Sequence, residues 1–235
     1  MLAVDPIQVQ LFPLIYEFNY LFCRHVHPSW YEQATPFFNE ISLFQQYSNS
    51  QFSISNFLKK LFDLQDEIYI NFDTQLSRFS LMENRELLYL VHYLGLVCVS
   101  PFIKKVIDGG TLRVLKDMLG EKDFEFAKKS AVFYQPHALF GLVGMKLDFA
   151  DKTREEMTHR MMLCGIRCLA LMYVDEPIAL KKRMMLKLPK QYAEIFEVSA
   201  GKKNMEKRMV DSLSIYKVAR KLIFDLGLTC RPIFV

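Results

Sequence analysis

The stretch from Ser80 to Gly120, SLMENRELLYLVHYLGLVCVSPFIKKVIDGGTLRVLKDMLG, constrains the fold most, because it carries three helix signals in succession. Ser80, with Glu83 three residues on, reads as a capping box. Leu87, Leu90, Val91, Leu94 and Cys98 then recur at spacings of three and four and share one helix face. Ser100-Pro101 reads as a restart, with Ser as N-cap and Pro at the first helical position. Gly109-Gly110 reads as the stop of that second helix. Thr111 reads as the cap of a third, with Leu112, Leu115 and Leu119 inward and Gly120 at its end. Three helices joined this tightly predict an all-α fold, a compact multi-helix bundle.

The remaining segments fit that class. Pro13 fixes a helix start with Leu14, Phe18, Leu21 and Phe22 on one side. His27-Pro28-Ser29-Trp30 reads as a turn, with Ser29 as a cap for the succeeding segment. Thr35-Pro36 opens a helix through Phe37, Ile41 and Phe44. Gln45 to Gln51 is a connector, and Ser53 begins an amphipathic helix with Phe57, Leu58 and Leu61 inward. Ile68 to Phe72 (IYINF) is a short strand or an extended linker, the one non-helical candidate. Lys122 to Tyr134 continues as helix with Phe126, Ala127 and Phe133 inward. Gln135 to Phe149 is broken by Pro136, Gly141 and Gly144.

Thr153-Arg154-Glu155-Glu156 is a second capping box, followed by a stripe of Leu163, Ile166, Leu169, Ala170 and Tyr173. Glu176-Pro177 begins a basic helix ending near Leu188-Pro189, and residues 197–204 form a loop. A last helix over about 205–226 carries Met205, Met209, Leu213, Tyr216, Ala219, Ile223 and Leu226 on one stripe and stops at Gly227. No repeat or composition shift cuts the chain. Residues 1–235 therefore read as a single helical domain, an aromatic N-terminal part of about 1–64 packed on a core of about 80–230.

An apolar fraction of 51% against 24% charged residues describes a chain able to bury a core, which argues against disorder. Charge is uneven: residues 1–100 carry 5 basic and 10 acidic side chains, whereas 176–235 carry 13 and 6. A basic final quarter suits an acidic protein, anionic lipid, nucleic acid or simply water. The five cysteines, at 23, 98, 164, 168 and 230, are an odd set in apolar helical contexts, as in buried thiols of a reducing compartment. Met1 to Pro6 holds Asp5 and no basic residue, and no uncharged run reaches ~18 residues, so no leader or spanning helix is read and the chain is expected in the cytoplasm.

Catalytic signatures are absent. Neither GxxxxGK[ST] nor GxGxxG occurs, nor a Gly-x-Ser-x-Gly elbow, nor HExxH. Cys23, His25 and His27 form the densest ligand-capable group, but in a helix only 23 and 27 share a face, and a fourth ligand must come from elsewhere. Helix-end and turn roles compete with a metal there. Cys164 and Cys168 read as small core residues in a helix register, against a reactive pair. Glu155, Glu156 and His159 sit in first turns, where carboxylates suit the positive helix end. His92 and His137 stand alone. The feature singled out is the basic tract Lys181, Lys182, Arg183, Lys187 and Lys190, interleaved with Met184, Met185, Leu186 and Leu188. Its apolar members are expected inward and its charges outward, either as a solvated face or as the site of an acidic protein partner. A nucleic-acid contact through the same basic quarter is the alternative, weakened by the lack of aromatics on that face.

A family likeness is carried by Leu94-Gly95-Leu96-Val97, then Ile103-Lys104-Lys105, then Leu112-Arg113-x-Leu115. Lys182-Arg183-x-x-Leu186-Lys187-Leu188-Pro189 comes next, and a final basic helix runs to Pro232-Ile233-Phe234. With the aromatic start leading into His27-Pro28-Ser29-Trp30, their order and spacing resemble the SctK/YscK/OrgA family of type III secretion accessory proteins. The resemblance implies a mostly helical cytosolic adaptor of the injectisome's sorting platform, acting without cofactor and without turnover. It would link the cytoplasmic domains of the inner-membrane ring to the pod protein of the C-ring-like assembly, and would meet the membrane only through those partners.

Overall fold

The computed structural model describes residues 6–31, 47–64, 67–134, 153–201, 212–230 and 234. The expected helix after Thr35-Pro36, the broken 135–149 segment, His137, Met205, Met209 and Pro232-Ile233 lie outside these residues. The longer helices are α1 (Pro6–Tyr20), α2 (Ser48–Leu61), α3 (Asn84–Lys105), α4 (Gly109–Leu119), α5 (Arg154–Met172), α6 (Ile178–Leu186), α7 (Ala193–Gly201) and α8 (Ser212–Asp225). Among the described residues there is no strand, so the all-α class holds and Ile68 to Phe72 is a connecting segment without regular secondary structure.

Contacts group the chain into two compact units, each discontinuous in sequence. One comprises Met1–Leu87, Glu176–Ala193 and Thr229–Val235; the other comprises Leu88–Asp175 and Glu194–Leu228.

In the first unit, α1 already runs at Pro6, one of the positions where a missing N–H costs nothing, and Pro13 lies inside it with its ring exposed. Helix α2 turns Ser55, Leu58 and Lys59 inward, so Leu58 is buried as expected while Phe57 and Leu61 are exposed. The buried row runs through Leu58 but is shifted to the Ser55 and Lys59 side of the helix. Phe22, Cys23, Val26, Tyr31, Leu58, Leu64 and Leu186 form a buried cluster, with Trp30, Ile54, Phe62 and Met185 against it. Ser80 is not a cap: it is buried in a 3-10 turn and its hydroxyl donates to the Ser77 carbonyl, so α3 starts at Asn84. The chain returns at the far end, where Thr229 donates through N and Oγ1 to the Glu86 carboxylate at 2.5 and 2.6 Å. Phe234 is fully buried against Phe79, ring centres 4.7 Å apart.

The second unit is built on α3 and α5. Helix α3 does not break at Ser100-Pro101. Pro101 has no N–H to give the Val97 carbonyl four residues back, and the Ser100 hydroxyl takes that carbonyl instead, at 3.0 Å. The helix is long and apolar enough to cross a bilayer by composition, but 72% of that window is buried in the structure, the environment of a core helix. Two glycines let α3 and α5 cross closely. A Cβ on Gly95 would overlap the Met161 carbonyl, and one on Gly165 would overlap the Val91 carbonyl. Beside this crossing Cys98 and Cys168 lie 3.4 Å apart, sulfur to sulfur, both buried.

Helix α4 is capped by Asp108, whose carboxylate accepts from Thr111 N at 2.7 Å; Thr111 itself is a residue inside the helix, and Gly109-Gly110 open it. Gly120, at φ +80°, ends it as expected. From Glu121 the chain stays helical but changes pitch, α to Glu125, π to Ser130 and 3-10 to Tyr134. Its inward row is Phe124, Ala127, Ala131 and Tyr134, so Phe133, expected inside, is 69% exposed. Thr153 caps α5 reciprocally with Glu156. Residues 197–201 belong to α7 and not to a loop. In α8 the inward row is Ile215, Val218, Ala219, Leu222 and Ile223; Leu213 is exposed, and Gly227 at φ +63° stands just past the helix end.

Candidate functional site

The basic tract does not behave as one face. Leu180, Arg183, Met184 and Lys187 fall at i, i+3, i+4 and i+7, the spacing of a buried helical row, and all four are buried. Arg183 is 1% exposed and Lys187 is not exposed at all. The expectation that the charges of the tract all face water is therefore corrected for these two. Lys181, Lys182 and Lys190 stay half-buried at the rim. Lys182 Nζ lies 3.6 Å from the exposed Asp63 carboxylate, and Lys190 Nζ sits 5.7 Å from the Trp30 ring centre.

The buried cations serve the end of α1. That helix has no basic residue in its last turn, so its final carbonyls have neither an internal donor nor a local cation. Arg183 Nη1 donates to the Phe18 carbonyl at 2.6 Å, and Lys59 Nζ donates to the Asn19 carbonyl at 3.1 Å. Arg183 Nη2 reaches the Glu67 carbonyl at 2.6 Å, and Lys187 Nζ reaches the Met82 carbonyl at 2.6 Å. The guanidinium also lies over Phe18, 4.7 Å from its centre, and over Phe22 at 5.4 Å. Charge-assisted hydrogen bonds of this kind contribute ~1.5–3 kcal/mol each, and a desolvated cation on an aromatic face about 2 kcal/mol. They offset a desolvation cost of several kcal/mol per ion. Among the described residues no carboxylate approaches Arg183 or Lys187 within ion-pair distance.

Electrostatics follow from that arrangement. Burial lowers the Lys187 ammonium to about 7; Glu83 pulls against this and Arg183 adds to it. Burial lowers Arg183 to about 10, opposed by Glu67. His25, buried next to them, is held well below its ordinary value first by burial, then by Lys187, Arg183 and Arg24. It is a neutral imidazole in a cationic surround, and its Nε2 has no hydrogen-bond partner among the described residues.

The His27-Pro28-Ser29-Trp30 turn clasps the other end of α6. His27 N donates to the Leu186 carbonyl at 2.8 Å, Trp30 Nε1 donates to the Leu188 carbonyl at 2.9 Å, and Lys190 N donates to Ser29 Oγ at 2.9 Å. His27 caps this turn, its Nδ1 accepting from Ser29 N at 3.2 Å, and the segment beyond Tyr31 that Ser29 is expected to cap lies outside the described residues. Two strings some 160 residues apart, HPSW and LKLPK, are thus one structural joint. Sequence reading singled out both and had no means of pairing them.

The other candidate groups disperse. Cys23 N donates to Ser55 Oγ, His25 is core and His27 is a cap, so the three do not converge. Among the described residues no set of three or more His, Cys, Asp or Glu side chains is placed to hold a metal ion. Cys164 and Cys168 are both buried, and Cys168 faces Cys98 instead. Burial pushes the Cys164 thiol up to about 12. The Glu156 carboxylate accepts from Thr153 N at 3.3 Å, spending it on the cap. His92 is not alone: its Nε2 lies 2.6 Å from the Asp123 carboxylate. Lys122 donates to the Tyr89 hydroxyl at 2.9 Å, in a mostly hydrogen-bonded brace of the second unit.

A family model described as YOP proteins translocation protein K (YscK) matches residues 14–225. No curated protein and no solved structure matches the chain. The matched span covers both the HPSW turn and the basic tract.

Proposed function

We propose, from the premise that the chain belongs to the YscK family of type III secretion proteins, that it is a non-enzymatic adaptor of the cytoplasmic sorting platform. In this role it links the cytoplasmic domains of the inner-membrane ring to the C-ring-like pod protein, working in the bacterial cytoplasm at the inner membrane. Family membership carries the reading. The use of titratable groups supports it, since Arg183, Lys187, His25, Glu156 and Asp108 are each engaged in packing, caps or helix ends. Assembly then rests on complementary surfaces rather than on bonds made or broken.

The half-buried rim of Lys181, Lys182 and Lys190 is the basic surface that meets an acidic partner. The test is Lys181→Glu, Lys182→Glu and Lys190→Glu together, with Arg183 and Lys187 left in place, because a carboxylate at either buried position would report core disruption instead. The expected result is loss of co-purification with the pod protein, with circular dichroism and the thermal unfolding midpoint unchanged. Undiminished co-purification refutes the assignment.

A further inference from the structure

We infer that the run Glu67 to Asn71 presents an open backbone edge that takes up one extended segment of a partner protein, apolar at alternate positions and flanked by Lys or Arg. In an extended chain successive residues turn their N–H and C=O to opposite edges. One edge of this run is filled from within its own unit. Arg183 Nη2 holds the Glu67 carbonyl at 2.6 Å, and the Asn19 side chain holds both polar groups of Tyr69, accepting from its N–H at 3.0 Å and donating to its carbonyl at 2.8 Å. That amide stands in for a neighbouring strand.

The opposite edge is open. Among the described residues nothing bonds the Ile68 N–H or carbonyl or the Ile70 N–H, while the Ile70 carbonyl accepts from Phe72 N at 3.1 Å. Ile68 and Ile70 are 61% and 71% exposed, an apolar pair lying along an unpaired backbone. The segment is nonetheless anchored: Phe72 is buried, edge-on to Phe18 at 5.3 Å and to Tyr69 at 5.0 Å. An anchored segment with one free backbone edge is what strand addition requires.

Charge selects the occupant. Glu67 and Asp73 flank the edge and are exposed. Tyr69 feels the same field, its phenol raised by burial and then by Glu176 and Asp73. A second copy paired on this edge would set acid against acid, and anionic lipid or nucleic acid would be repelled. A basic-flanked segment gains at both ends. This surface is independent of the linking role proposed above.

The test titrates the full chain with a labelled peptide, acetyl-Lys-Val-Thr-Val-Thr-Val-Lys-amide, read by fluorescence anisotropy. Saturable binding is expected, falling at least tenfold when alternate residues on one of the peptide's two edges are N-methylated, and at least tenfold when Glu replaces both Lys. Ile70→Pro, which removes an edge donor, should weaken binding as much, whereas Ile70→Val should keep it. No saturable binding, equal binding of both edge-methylated peptides, or equal binding of the Glu-flanked peptide overturns the inference. The peptide arms decide even if Ile70→Pro fails to fold.

Discussion

Lys187→Met tests the account of the buried cations most sharply. The two side chains have similar length, so the change removes a charge and one hydrogen bond while opening little space. The Met82 carbonyl loses its donor, which costs about 1–3 kcal/mol at any pH. The charge term depends on pH. Lys187 titrates at about 7 in the folded chain against an ordinary 10.5, so the ammonium is disfavoured in the native state by about 5 kcal/mol at ~1.4 kcal/mol per pH unit.

A lysine with a depressed folded value binds fewer protons folded than unfolded between those two pH values, and stability rises with pH across that window. Below pH 7 the penalty is fully present; it fades as pH climbs towards 10.5. The methionine variant carries no such term. Relative to the variant, the parent should therefore gain about 2 kcal/mol between pH 7 and pH 9. Working above pH 7 avoids His25, and stopping at pH 9 avoids Arg183 near 10. Urea unfolding followed by Trp30, the single tryptophan, reports the unit that contains Lys187. Parallel stability curves for parent and variant across this range would refute the reasoning, because they would mean that the ammonium stays charged and its contacts fully replace water.

Two further outcomes are expected. Gly165→Ala drives a methyl into the Val91 carbonyl and should lower stability by roughly 1–3 kcal/mol or more, while Gly109→Ala, which meets nothing within 4 Å, should raise it by ~0.5–1 kcal/mol; paired thermal melts compare them directly. The thiols of Cys98, Cys164 and Cys168 should stay unreactive towards Ellman's reagent at pH 8 until the chain unfolds, since burial and the Cys98–Cys168 contact hold Cys98 and Cys164 protonated. Rapid labelling of these positions in the native protein would contradict the packing described for α3 and α5.

What the sequence disclosed was what neighbours in the chain decide. The Thr153–Glu156 box is satisfied within one turn, and Gly120 and Gly227 take positive φ at helix ends. What it concealed depended on distant partners. Periodicity gives the spacing of an apolar row without choosing between adjacent rows, and Phe57, Phe133 and Leu213 were assigned inward on the wrong one. The Ser100-Pro101 pair reads as a break only until the hydroxyl is seen to occupy the carbonyl that proline leaves vacant. Arg183 and Lys187 carried a usable signal, since with Leu180 and Met184 they complete a buried row. Charge made the pattern look like a surface, and the reason for burying them, the bare carbonyls ending α1, lies some 165 residues upstream.

The interleaving of the two units has a consequence for synthesis. A ribosome that has delivered residues up to Leu87 has supplied α1, α2 and the Phe79 ring, but not α6, Thr229 or Phe234. The first unit thus waits, with the carbonyls of Phe18 and Glu67 still facing water, until Arg183 emerges from the exit tunnel. The second unit, whose pieces span Leu88 to Leu228, is fully translated before Phe234 is made. Arg183 and α6 thus reach the amino-terminal aromatic segment before α8, which completes the second unit, has been made, and Phe234 arrives after both.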